Sequence, residues 1–111
     1  MKRPLFRLTT RKAWRAWLQK KHRTAPEIWV VYTRAHAAGK RVTYADAVEE
    51  ALCFGWIDTT VDPIDDDHYL QRFTPRKNVR KWSALNLERF RRMEEAGLMT
   101  AAGRSVLATI V

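Results

Sequence analysis

The sequence has 111 residues, of which 46% are hydrophobic and five are tryptophan, a composition that argues against intrinsic disorder. A chain of this length predicts one domain, residues 1–111, because two halves would each be too small to bury a core without disulfides or metals. Its 21 Lys and Arg against 12 Asp and Glu give a formal charge of +9, which favours an anionic partner.

The chain contains one cysteine, Cys53, between Leu52 and Phe54. One cysteine excludes an internal disulfide and a cysteine-rich zinc site, and its apolar neighbours favour a buried, inert thiol over a catalytic nucleophile. The basic N-terminus lacks the apolar run and cleavage-like site of a secretory signal, and no stretch of 18 apolar residues exists. We therefore predict a cytoplasmic protein with no membrane span.

The first half of the chain predicts a helix followed by a strand. Thr9 or Thr10 is positioned to cap a helix that runs through about residue 22, with apolar residues at helical spacing. The β-branched and aromatic residues at 27–34 follow a proline and favour a buried strand. Residues 36–41 are predicted to form a loop.

A second helix and a hairpin are predicted next. Thr43 and Asp46 have the spacing of a capping box that opens a helix, and Gly55 is suited to end that helix because a C-terminal cap needs a residue that tolerates positive φ. From residue 56 the pattern alternates with a period of two on both sides of an acidic turn segment. Residues 56–74 are therefore predicted to form a β-hairpin.

Two further helices complete the predicted order. Residues 76–81 form a charged connector, Ser83 is positioned to cap a helix that Gly97 ends, and Thr100 begins the last helix. The order helix, strand, helix, hairpin, helix, helix predicts an α+β fold. Its sheet is expected to be small, three-stranded and of antiparallel type, built from one strand plus the hairpin and packed with about four helices.

One charged pair is predicted within the hairpin. A turn centred near Asp65 places Asp58 opposite Arg72, with both side chains on the same face of the two strands. Such a pair is either an exposed ion pair worth about 0–1 kcal/mol or a part of a binding site. Side chains on opposite faces would exclude the pairing.

The most basic segment of the chain follows this pair. Its five cations within ten residues are Arg72, Arg76, Lys77, Arg80 and Lys81. Arginine presents a planar fork to phosphate or carboxylate, and the helix start at Ser83 adds free backbone N–H groups. A solvated loop that contributes only to solubility is the alternative.

Asn86 falls in register with Phe90 and Met93 on a helix face that is expected to be buried. A buried amide needs hydrogen-bond partners, so Asn86 either ties down the preceding loop or faces the same cleft as the arginines.

No metal or cofactor site is predicted. The acidic segment after residue 62 lacks the glycine and the final glutamate of a calcium-binding EF-hand loop. His22, His36 and His68 match no zinc spacing, and neither a glycine-rich phosphate loop nor a nucleophile elbow occurs.

Four motifs give the sequence a family resemblance. "TYADAVEEALCFGWID", "YLQRFTPR", "WSALN" and "EEAGLMTAAG" occur in this order and resemble the YdeI/OmpD-associated family, also called OmdA-like or bacteriocin-protection proteins. The resemblance extends from Trp14 to about Gly103. It implies a small bacterial domain linked to stress or bacteriocin protection, although Thr59 and Arg80 replace a glycine and a serine that are usual in the family.

The leading hypothesis is a domain that binds a small phosphate- or carboxylate-bearing ligand in a cleft between the hairpin and the following helix. Arg72 and Arg76 are expected to hold the anion, and Asp58 to orient Arg72. Trp56 and Trp82 are expected to form apolar walls, and Ser83 and Asn86 to add polar contacts.

Two alternatives belong to other functional classes. Basic runs at 2–23 and 72–92, with aromatics between the cations, are typical of a nucleic-acid-binding module. The second alternative is a small enzyme that uses Asp58 or Glu50 as a general base, although no catalytic partner can be assigned to either carboxylate.

Overall fold

The protein has an α+β fold, described by a computed structural model that covers residues 3–33, 42–76 and 82–108. The elements are, in chain order, β1 (Leu5–Arg7), α1 (Arg11–Lys21), β2 (Ile28–Thr33), α2 (Tyr44–Leu52), β3 (Trp56–Pro63), β4 (His68–Pro75), α3 (Ala84–Glu95) and α4 (Ala101–Ala108). The predicted loop at 36–41 and residues 77–81 of the predicted connector lie outside the described residues. Across the three described segments, the helices are too short or too polar to cross a bilayer.

The four described strands form one mixed sheet in the order β1-β2-β4-β3. β4 is antiparallel to both β2 and β3, whereas β1 runs parallel to β2. The predicted three-stranded antiparallel sheet was therefore wrong by one strand. β1 has only three residues, which are too few to show an alternating pattern in the sequence. It is held by pairing with the distant strand β2, and just before β1 the Trp29 N–H donates to the Pro4 carbonyl at 2.9 Å.

The two faces of the sheet have different surroundings. One face, the helix-covered face, packs its side chains against helices, as in the ring contacts with α1 and α2. From β2, β4 and β3 this face includes Ile28, Val30, Tyr32, Tyr69, Gln71, Phe73, Trp56 and Asp58. Because side chains alternate along a strand, the neighbouring residues point to the opposite face. This outer face includes Trp29, Val31, Leu70, Arg72, Thr74, Ile57 and Thr59.

Trp14 lies at the centre of the core and is fully buried. Its ring centroid is 5.4 Å from that of Phe6, 5.6 Å from that of Trp17 and 5.3 Å from that of Phe73. The indole Nε1–H donates to the Ala47 carbonyl at 3.0 Å, so its one polar group is satisfied. Trp14 thereby joins α1, α2 and two strands.

The predicted helix starts are confirmed. Thr10, Thr43 and Ser83 are the N-caps of α1, α2 and α3, and each side-chain oxygen accepts a hydrogen bond from the backbone N–H three residues later. Asp46 completes the capping box of α2 by accepting from the Thr43 N–H at 3.3 Å. These boundaries were predictable because a cap depends only on nearby residues.

Glu50, at 3% exposure, connects α2 to α1 through charge. Its carboxylate accepts from Arg11 Nε and from Arg15 Nη1, each at 2.9 Å. Arg92 of α3 contacts the neighbouring Glu49, which is also buried. Three helices are therefore joined by guanidinium groups that compensate two buried carboxylates.

Two glycines adopt positive φ at helix ends. Gly55, between α2 and β3, has φ +78°, and Gly97, after α3, has φ +76°. A Cβ added at Gly55 would lie 2.8 Å from Val106 Cγ2 and 3.0 Å from the Ala102 carbonyl oxygen, whereas one at Gly97 would meet nothing within 4 Å. Only the turn at Gly55 needs both a left-handed backbone and a close approach of α4.

We expect Gly55→Ala to lower the free energy of unfolding by about 3 kcal/mol, because left-handed strain of about 1–2 kcal/mol adds to overpacking of about 1–3 kcal/mol. Gly97→Ala is the matched control and carries the strain alone, about 1–2 kcal/mol. Urea denaturation of both variants measures the difference. Equal losses would show that α4 does not restrict position 55.

We expect Glu50→Gln to lower the free energy of unfolding by about 2–3 kcal/mol, because Arg11 and Arg15 would lose their shared charged partner. Glu88→Gln is the control, since Glu88 contacts Arg91 in an exposed pair whose loss should cost no more than about 0.5 kcal/mol. Urea denaturation in moderate salt measures both. If Glu50→Gln lowered the free energy of unfolding no more than the control, the contacts of Glu50 with Arg11 and Arg15 would have no structural role.

Candidate functional site

Asp58 and Arg72 lie on opposite faces of the sheet, so their predicted pairing is wrong. Asp58 is opposite Phe73 on the helix-covered face, and the next residue along β4, Arg72, points to the outer face. The register shifts between Asp58 and Val61, where three steps along β3 match two along β4. This β-bulge adds one residue, and a shift of one residue exchanges the faces.

Glu27, rather than Asp58, orients Arg72. The Arg72 Nε–H donates to Glu27 Oε1 at 2.6 Å, and both side chains are partly exposed. Glu27 directly precedes β2, and Trp29 of that strand is opposite Arg72 in register. The acidic partner therefore comes from a segment 45 residues away in the chain, and the hairpin pattern alone does not predict such a contact.

An open hollow of about 400 Å³ lies on the outer face beside Arg72. It is lined by Pro26, Ile57, Thr59, Arg72, Thr74, Pro75 and Arg76. Two of the three predicted charged residues, Arg72 and Arg76, thus share one concave surface. We call it the outer-face hollow.

Arg76 lies where the hairpin leads toward α3. Its guanidinium carbon is 4.5 Å from the centroid of the Trp82 ring, a cation–π contact, and its backbone N–H donates to the Gly55 carbonyl at 2.8 Å. Burial lowers the pKa of Arg76, and the nearby Asp58 carboxylate opposes that shift. Its positive charge is therefore partly desolvated, a state in which an anionic partner is favoured.

Trp56 and Ser83 have structural roles instead of the predicted ligand contacts. Trp56 is 1% exposed, packs edge-on against Trp17 with ring centroids 5.6 Å apart, and donates its Nε1–H to the His22 carbonyl at 3.2 Å. It is a core residue and not a wall of the hollow. The Ser83 hydroxyl accepts from the Asn86 N–H at 3.0 Å as the cap of α3.

Trp82 and Asn86 also lie outside the lining of the outer-face hollow. The Trp82 ring packs edge-on against Phe90 with centroids 5.9 Å apart, in addition to its contact with Arg76. The Asn86 side-chain oxygen accepts from Arg89 Nη1 at 2.9 Å within α3. Of the seven predicted site residues, the hollow brings together the two arginines.

Asp58 belongs to a second polar group, on the helix-covered face. Its carboxylate accepts from the Tyr44 hydroxyl and, at 3.0 Å, from Gln71 Nε2. Burial raises the pKa of Tyr44, and the hydrogen bond to Asp58 raises it further. Tyr32 lies beside Tyr44 with ring centroids 6.3 Å apart. We call Tyr32, Tyr44, Asp58 and Gln71 the Asp58 cluster.

Sequence reasoning missed the two hydrogen-bond partners of Asp58, Tyr44 and Gln71, and the role of Glu27. One signal was present: Gln71 shares a strand face with Phe73, so a correct assignment of the inward face predicts a buried amide. The tyrosines and Glu27 come from distant segments, which local patterns do not connect.

The other candidate reactive groups are engaged within the core. Cys53 is fully buried, its Sγ donates to the Glu49 carbonyl at 3.3 Å, and burial raises the pKa of the thiol to about 11. Glu50 is engaged by two arginines. No cluster of three or more His, Cys, Asp or Glu suited to a metal ion occurs among the residues that the structure describes.

Comparison with known proteins places the chain in a family. A family defined by a domain of unknown function (DUF8412) matches residues 6–106. Comparisons with curated proteins and with solved structures found no match. The resemblance to the YdeI/OmpD-associated family was wrong, because the DUF8412 match covers the region that contains all four motifs. Many motif residues, such as Leu52, Trp56 and Ser83, are core or capping residues, so the motifs reflect packing. The chain belongs to the DUF8412 family.

Proposed function

We propose that the protein binds a small ligand with a phosphate or carboxylate group in the outer-face hollow. The observation that supports this most directly is that Arg72 and Arg76 line the same hollow. Its volume of about 400 Å³ is in the range of small-molecule sites, about 300–1,000 Å³. The formal charge of +9 also raises the local concentration of anions around the protein.

The lining of the hollow suits a ligand with one charged end and one apolar part. Both Nη groups of Arg72 have no hydrogen-bond partner among the described residues, since the contact with Glu27 uses Nε. Thr74 adds a hydroxyl group that can donate or accept, whereas the Thr59 hydroxyl donates to the Arg72 carbonyl oxygen at 3.4 Å. An apolar wall is formed by Pro26, Ile57 and Pro75.

Glu27 has two effects on an anion at this site. Its hydrogen bond to Nε fixes the plane of the Arg72 guanidinium, which leaves the Nη edge to meet a bidentate anion. Its negative charge also repels that anion. Removal of the charge should therefore strengthen anion binding, provided that Arg72 keeps its position.

A second candidate function, binding of single-stranded nucleic acid, is favoured by the residues next to the hollow. Trp29 is opposite Arg72 in register, and the guanidinium carbon of Arg3 is 4.4 Å from the Trp29 ring centroid. Single-stranded nucleic acids bind surfaces that combine cations for phosphates with aromatic rings for bases. This function predicts a steep salt dependence and a loss of affinity in Trp29→Ala.

The primary test is a thermal-shift and calorimetric titration with phenyl phosphate, benzoate, inorganic phosphate and neutral phenol. We expect phenyl phosphate and benzoate to stabilise the protein and phenol to have no effect. Arg72→Gln should weaken binding at least tenfold, about 1.4 kcal/mol, whereas Glu27→Gln should strengthen it.

The controls are Arg91→Gln and Glu88→Gln, which make the same charge changes in an exposed ion pair away from the hollow. These variants should bind like the original protein. If substitutions in the Arg91–Glu88 pair changed anion binding as much as those in the Arg72–Glu27 pair, binding would depend only on net charge. The absence of stabilisation by any of the anions would refute the proposed function. Binding of a mixed oligonucleotide that Trp29→Ala abolishes would favour the second candidate.

A further inference from the structure

Two buried polar atoms in the Asp58 cluster have no hydrogen-bond partner among the described protein groups. They are the Tyr32 hydroxyl oxygen and Gln71 Oε1. Both residues are 1% exposed. An unsatisfied buried polar group destabilises the folded state, and folded proteins rarely leave two together.

Both atoms belong to the same region of the helix-covered face. Tyr32 is opposite Tyr69 and Gln71 is opposite Val30, so Tyr32 and Gln71 are diagonal neighbours on adjacent strands. The Tyr32 ring stacks on that of Tyr69 with centroids 4.9 Å apart. This stacking and the strand pairing restrict where the hydroxyl group can move.

The hydrogen-bonding roles of the two groups are complementary. Gln71 uses Nε2 as a donor to Asp58, so Oε1 remains as an acceptor. Burial raises the pKa of Tyr32 well above its usual value, and Tyr69, Tyr44 and Asp58 raise it further. The Tyr32 hydroxyl therefore keeps its proton at neutral pH and is available as a donor.

We propose that Tyr32 and Gln71 form an enclosed subsite for one neutral hydroxyl group, which donates to Gln71 Oε1 and accepts from the Tyr32 O–H. A hydroxyl fits because it both donates and accepts. A carboxylate only accepts and is repelled by Asp58, and an ammonium group has no lone pair for the Tyr32 proton. The group is either a water molecule or the hydroxyl of a small organic molecule.

This subsite is independent of the proposed function. The sheet separates it from the Arg72 side of the outer-face hollow, because Gln71 and Arg72 are successive residues of β4 and point to opposite faces; Arg76 is the lining residue near Asp58. Loss of anion binding at Arg72 would leave the subsite unaffected.

The first experiment is a double-mutant cycle with Tyr32→Phe and Gln71→Met, measured by urea denaturation. If a bound hydroxyl bridges the two side chains, Tyr32→Phe should lower the folding equilibrium constant about tenfold, and the two substitutions should be coupled. If no group is bound, Tyr32→Phe removes an unsatisfied hydroxyl and should leave stability unchanged or increase it. That result, or the absence of coupling, would overturn the proposal.

The second experiment is a crystal structure of the unsubstituted protein, with native mass spectrometry of the same preparation. Both measurements use the unsubstituted protein, so they do not depend on whether a variant folds. A single peak within about 2.7–3.2 Å of the Tyr32 hydroxyl and Gln71 Oε1 would identify water, and extended density with added mass would identify an organic hydroxyl. A direct hydrogen bond between Tyr32 and Gln71, or no density between them, would refute the subsite.

Discussion

The register of strand β4 determines where every polar group of interest lies. Tyr69, Gln71 and Phe73 point to the helices, and Leu70, Arg72 and Thr74 point to the outer face. A slip by one residue would bury Arg72 beneath the helices and expose Phe73, which is fully buried. The burial of Phe73 against Trp14 therefore sets the register, and the register in turn separates the outer-face hollow from the Asp58 cluster.

The core provides rigidity that both polar regions use. Trp14 joins two helices and two strands, and Glu50 connects α1 to α2 through two arginines. Gly55 then turns the chain from α2 directly into β3, and its carbonyl accepts from the Arg76 N–H. Arg76 is thus fixed at its backbone by the same turn that starts β3, and its guanidinium lies over the Trp82 ring.

Local features of the fold followed from the sequence, whereas features that depend on distant segments did not. Thr10, Thr43 and Ser83 were predicted as caps because a cap contacts a backbone N–H three residues away. The predicted pairing of Asp58 with Arg72 was wrong because one added residue in β3 changes the register without a sequence signal. Their partners Tyr44 and Glu27 come from distant segments. The edge strand β1 was missed for a related reason, since its three residues are ordered by pairing with β2.

The most direct test of the separation of the two regions is an NMR titration with phenyl phosphate that follows backbone amides and arginine Nε–H groups. We expect the largest shifts at Arg72 Nε–H and at the amides of Thr59 and Thr74, with small shifts at Tyr44 and Gln71. Shifts centred on Tyr44 and Gln71, or spread evenly over the cationic side chains of the protein, would contradict binding in the outer-face hollow.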